Sequence, residues 1–159
     1  MTTFANTLQN AYSLFENSAN SLQSLFLLFV RLYWGWQFCQ TGWGKMHNLP
    51  HVVEYFTSLG IPAPALNAYF VTELEFVGGF LLILGLGGRL IALPLTIDMV
   101  VAYILGDRAA LLSFFSKPED FYAAAPFTFL MAALIILIFG PGRFSLDYLI
   151  ARWWSRQTA

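Results

Sequence analysis

The chain has 159 residues, enough for one domain, and 58% of them are hydrophobic while only 11% are charged, against roughly 25% charged in soluble domains. A soluble protein of this size cannot hide so much apolar surface, so the composition points to an integral membrane protein. The formal charge of −1 offers no basic patch and argues against a nucleic-acid partner, and a single cysteine, Cys39, excludes an internal disulfide, a CxxC redox pair and a cysteine-built zinc site.

The N-terminus, MTTFANTLQN, has no basic segment leading into an apolar one, so no cleaved signal peptide is expected. Residues 1–23 read as a polar, amphipathic lead-in to the first apolar stretch. Four such stretches approach the ~20 residues that a bilayer crossing needs: 24–43, 66–86, 89–106 and 121–139. Only helices or closed barrels satisfy their backbone in lipid, and no alternating strand pattern is present. The expectation is an all-α integral membrane four-helix bundle, up and down because its links are short.

The first span, with Trp34, Trp36, Trp43 and Tyr33, reads as an aromatic belt; Cys39 within it reads as a buried, inert thiol. The link after it, HNLPHVVEYFTSLGIPAPALN, predicts a short interfacial helix between Pro50 and Gly60, with Val52, Val53, Phe56 and Leu59 on one face. GLGGR is a tight second link, and GPG at 140–142 ends the fourth span. The bundle domain is taken as 24–150 and the tail as 151–159, where Trp153 and Trp154 beside Arg152 suit an interfacial anchor. Arg89, Arg143, Arg152 and Arg156 on one side outnumber Lys45, Arg108 and Lys117 on the other, which favours both termini in the cytoplasm.

Four charged residues fall within spans: Arg31, Glu73, Glu75 and Asp98. Charges there face the bundle interior or a wet cavity. Residues two apart on a helix point about 200° from each other, so Glu73 and Glu75 face different ways. Glu75 shares its stripe with Thr72, Gly78, Gly79 and Leu82, and Arg31 shares one with Gly35, Phe38 and Gly42. A buried Arg31–Glu75 pair, with Asp98 joining it, is therefore expected between spans one and two. Two readings account for it equally: a structural pair that fixes register, or a polar pocket that holds a small redox molecule or relays protons. Trp34, three residues after Arg31, offers such a pocket a flat wall. Glu73 lies among Tyr69, Phe70, Phe76, Val77 and Phe80, a place suited to a helix or oligomer contact more than to a ligand. Lys45, His47 and His51 mark the outer mouth. The two histidines are four apart with Pro50 between them and no carboxylate to complete a set, so no metal site is expected.

RLYWGWQFCQTGWGK (31–45), FTSLGIPAP (56–64), ELEFVGGFLLILGLGGR (73–89) and GPGRFSLD (140–147), in that order, cover nearly the whole chain. This pattern resembles the DoxX family of small bacterial four-helix membrane proteins. Arg31, Gly42, Lys45, Gly60, Pro62, Glu75, Gly78, Gly79, Gly85 and Arg89 look like the family's polar and glycine positions. The resemblance implies the bacterial inner membrane, both termini inside, and a quinone-associated redox or oxidative-stress component acting with redox or copper-handling partner proteins. If it is an enzyme, it would be an oxidoreductase subunit using quinone. A non-catalytic scaffold for such proteins and a small-molecule or metal transporter are the alternatives.

Overall fold

The computed structural model describes residues 2–157; Met1 and the last two residues of the expected tail, 158 and 159, lie outside the described residues. The described chain is helical throughout, with eight α-helices, one π-helical turn and no strand. α1 (Thr2–His47) runs unbroken through the polar lead-in and the first apolar stretch. α2 (Leu49–Ser58) is the short helix of the first link, with a proline in its first turn. α3 (Pro64–Leu84) and α4 (Gly88–Val101) are joined by the glycine link, and α4 passes through Pro94 without ending. The π turn (Ala102–Gly106) continues α4 directly. α5 (Arg108–Leu112) and α6 (Pro118–Ala123) fill the third link. α7 (Pro126–Phe139) and α8 (Leu146–Gln157) complete the chain, α8 running across residues 150 and 151 without a break.

Two segments, 64–84 and 88–106, are long and apolar enough to cross a membrane. The expected fourth span is shorter than the sequence suggested. Helix α6 ends at Ala123, Ala124 is extended (ψ 140°), and Pro126 starts α7 afresh. The 14 residues of α7 reach about 21 Å at 1.5 Å per residue, less than the ~30 Å hydrocarbon core.

Contacts run from α1 to α3, from α3 to α4, from α4 to α7 and from α7 back to α1, closing a ring around one core. Leu27, Val30, Phe38, Leu82, Leu95 and Ile136 are buried there. The outside is as apolar as the inside: Phe80, Leu93, Ile97, Ile138 and Leu90 are all exposed. Contiguous apolar surface on this scale suits a lipid environment.

The seam between α1 and α3 is glycine-set. A Cβ on Gly42 would stand 2.5 Å from the backbone of Phe76, and one on Gly79 would stand 2.5 Å from the Gly35 carbonyl. The same approach buries Cys39, whose Sγ lies 3.4 Å from the Phe76 carbonyl oxygen. At the far end of the seam, Gly85 and Gly87 take left-handed angles (φ 66° and 60°) to turn the chain from α3 into α4.

Candidate functional site: two separate polar centres

Arg31 and Glu75 are both buried, at 1% and 2% exposure, but they do not meet. Arg31 donates from Nη1 to the Pro141 carbonyl (2.8 Å) and from Nη2 to the Phe144 carbonyl (2.6 Å). The expected Arg31–Glu75 pair is replaced by a clamp on the GPGRF segment. The reason is register. α1 and α3 are antiparallel, Gly35 lying against Gly79 and Ile83, and Gly42 against Phe76. Arg31 therefore comes level with Gly85, about 15 Å along α3 from Glu75 at 1.5 Å per residue.

Beside the clamp, the start of α8 is tied to the link between α3 and α4. The Asp147 carboxylate accepts hydrogen bonds from the backbone N–H of Gly87 (2.8 Å) and of Gly88 (2.9 Å), the start of α4. The Asp147 N–H in turn donates to the Gly85 carbonyl (3.0 Å). A carboxylate on the exposed N–H groups of a helix start satisfies donors that have no partner within the helix. This centre is built from backbone and fixed charge, and it has the character of a structural lock.

The second centre lies toward the other end of the seam. Lys45, three residues beyond Gly42 and on the same face of α1, donates from Nζ to Glu75 Oε1 at 2.6 Å. Glu75 is the buried partner; the Lys45 side chain is one-third exposed. Asp98 of α4 faces the same cavity as both. One oxygen of each carboxylate, Glu75 Oε2 and Asp98 Oδ2, is buried without a hydrogen-bond partner among the described residues, as is Thr72 Oγ1 one turn from Glu75. Buried polar atoms are nearly always satisfied, so such a group of orphans marks a place where water, a proton or a ligand belongs.

Lys45, Glu75 and Asp98 line one cavity of about 300 Å³. Its walls are mostly apolar. Val52, Tyr55 and Phe56 come from α2, Leu59 from just past its end, Val71 from α3, and Met99, Ala102 and Leu105 from α4 and the π turn. The π turn widens the helix where it borders this space: Asp107 N–H bonds back to the Ala102 carbonyl, five residues earlier. Such turns are often found at functional sites. Gly106 ends it, leaving room for the Tyr55 hydroxyl, which would stand 2.9 Å from a Cβ placed there.

The other sequence-predicted residues are dispersed. His51 lines the cavity with its side chain largely exposed. His47 folds back instead, its Nδ1 2.9 Å from the Trp43 carbonyl oxygen. Trp34 is half-buried beside Phe29 and Tyr33 and does not border the cavity. Glu73 points outward. Sequence reasoning assigned Lys45 to the mouth and missed it as the partner of Glu75; the i,i+3 step from Gly42 was the available signal. Nothing in AYILG announced the π turn.

A lysine ammonium that spends one N–H on Glu75 keeps others for a ligand carbonyl. The two carboxyl groups can accept hydrogen bonds or pass protons. The cavity can thus hold a small, mainly apolar molecule by one polar end.

The model of the DoxX family matches residues 26–108, just over half of the chain and all of the Lys45–Glu75–Asp98 centre. An uncharacterized membrane protein of Mycobacterium tuberculosis is 39% identical over 98 residues, covering 58% of this chain and 60% of that protein. No solved structure matches. With the family model spanning the α1–α3 seam, the glycine link and the cavity wall, this chain is a membrane protein of the DoxX family.

Proposed function

We propose that this protein binds a quinone-class molecule in the Lys45–Glu75–Asp98 cavity and serves the bacterial inner membrane as a redox or oxidative-stress component alongside partner redox proteins. In this reading α1, α3 and α4 with the π turn cross the membrane, the apolar run 121–139 of α6 and α7 together makes the fourth crossing, and both termini lie in the cytoplasm. The supporting observation is the cavity itself: an ion pair and a second carboxyl in its lining, orphan oxygens on both acids, and apolar walls. A quinone is a flat apolar ring with carbonyl acceptors. Lys45 supplies the donor that orients one carbonyl, and the walls from α2 and the π turn enclose the ring. Quinone reduction consumes protons as well as electrons. Glu75 and Asp98 sit where those protons are needed, and the electrons come from the partner.

The test is direct. Protein extracted gently from its membrane is analysed by mass spectrometry for co-purifying quinone, and stripped protein is titrated with a short-chain ubiquinone analogue. Bound quinone and a saturable thermal shift are expected, with Lys45→Met weakening binding about tenfold, the effect of losing one charged hydrogen bond. An extract without quinone and a titration without saturation would discard the reading.

A further inference from the structure

The outward face of α3 carries a stripe of Leu66, Phe70, Glu73, Val77, Phe80 and Leu84, spaced three or four residues apart, and all are exposed. Five are apolar and suit lipid. Glu73, the tenth residue of the 21-residue helix, stands about 14 Å from its start at 1.5 Å per residue, near mid-membrane. A carboxyl presented to hydrocarbon at that depth is costly unless another group meets it. Among the described residues the cations within the spans are engaged elsewhere: Arg31 holds the Pro141 and Phe144 carbonyls, Lys45 holds Glu75, and Arg89, at the start of α4, holds the Ile138 carbonyl.

We propose that this face of α3 is the seam of a homodimer, with the Glu73 carboxyls of two copies paired across a two-fold axis along the membrane normal. A two-fold axis in that direction places identical residues at equal depth, so each Glu73 meets its own counterpart. Two carboxyls are self-complementary: with one proton between them, the O–H of one donates to an oxygen of the other. A single polar residue in the centre of an apolar stripe is also the device by which helix pairs fix register and copy number. The proposal is independent of what the Lys45–Glu75–Asp98 cavity binds.

Dimerisation is measured in lipid bilayers by energy transfer between labelled copies, together with oxidative cross-linking of single cysteines in a Cys39→Ala background. The wild-type chain is expected to dimerise, and Glu73→Ala to weaken dimerisation about tenfold, in the range of an interhelical hydrogen bond in lipid. Glu73→Gln should restore it, because an amide both donates and accepts. Phe80→Cys on the stripe should cross-link to its copy, and Leu93→Cys on the exposed face of α4 should not. Because Glu73 lies on the surface, unchanged thermal unfolding of Glu73→Ala will separate lost pairing from lost folding. A monomeric wild-type chain overturns the proposal. So do equal cross-linking at Phe80→Cys and Leu93→Cys, dimerisation indifferent to Glu73→Ala, or Phe80→Cys capturing a different protein while the chain itself stays monomeric.

Discussion

Arg31 and Lys45 lie on the same helix about 21 Å apart at 1.5 Å per residue, and that separation decides their partners. Each cation is held within its own level of the structure, one by backbone carbonyls and one by Glu75. Double-mutant cycles will distinguish this from a shared network. Lys45→Met and Glu75→Gln should be coupled by about 1–3 kcal/mol, whereas Arg31→Met and Glu75→Gln should add to within about 0.5 kcal/mol. Thermal or denaturant unfolding in detergent reads both. Additive losses for Lys45 and Glu75 would remove the pair from the site. The sequence told which way each glutamate faces, because facing follows from helical angle alone: Glu75 is buried and Glu73 is exposed. It did not tell which cation Glu75 meets. That depends on depth, and depth depends on how far α1 slides along α3, which no local pattern states.

The slide is fixed by glycines. Gly42 against Phe76, and Gly79 against Gly35 and Cys39, bring two backbones into contact where any side chain would collide with main chain. Glycine within a helix is otherwise unfavourable by roughly 0.5–1 kcal/mol relative to alanine, so its presence there reflects the close approach. Gly42→Ala and Gly79→Ala should each destabilise the protein by about 1–3 kcal/mol, the usual penalty of overpacking. Gly44→Ala, with nothing within 4 Å of its new methyl, should be neutral or slightly stabilising. Melting temperatures in detergent check all three, and a benign Gly79→Ala would mean the helices stand farther apart. At this scale the sequence was readable wherever composition and end signals agree, as in α2, α3 and the glycine link. It misled over residues 121–125, whose apolar run hides a break imposed by Pro126. It was silent on the π turn, since one extra residue per turn leaves no trace in hydrophobic spacing.

At the scale of the whole molecule the two polar centres occupy opposite ends of the α1–α3 seam, and the apolar-walled cavity belongs to the Lys45 end. The Arg31 end binds residues 110 and 113 positions away in the chain and joins the start of α4 to Asp147, so it fastens the ring shut. The Lys45 end is left open to α2 and the π turn. If the protein crosses the membrane in the proposed sense, the lock with α8 faces the cytoplasm and the cavity mouth faces outward. This sense rests on the count of Arg89, Arg143, Arg152 and Arg156 on the lock side against Lys45, Arg108 and Lys117 on the mouth side. Thiol labelling in sealed right-side-out vesicles tests this in a Cys39→Ala background. A cysteine in place of Thr57, exposed on α2, should react with a membrane-impermeant maleimide in intact vesicles. A cysteine in place of Arg156, exposed on α8, should react only after permeabilisation. The opposite pattern would invert the molecule, placing the cavity mouth at the cytoplasmic surface and any partner of the bound ligand on that side. Labelling of both in intact vesicles would place α2 and α8 on one face, and the antiparallel register of α1 and α3 could then not span the bilayer.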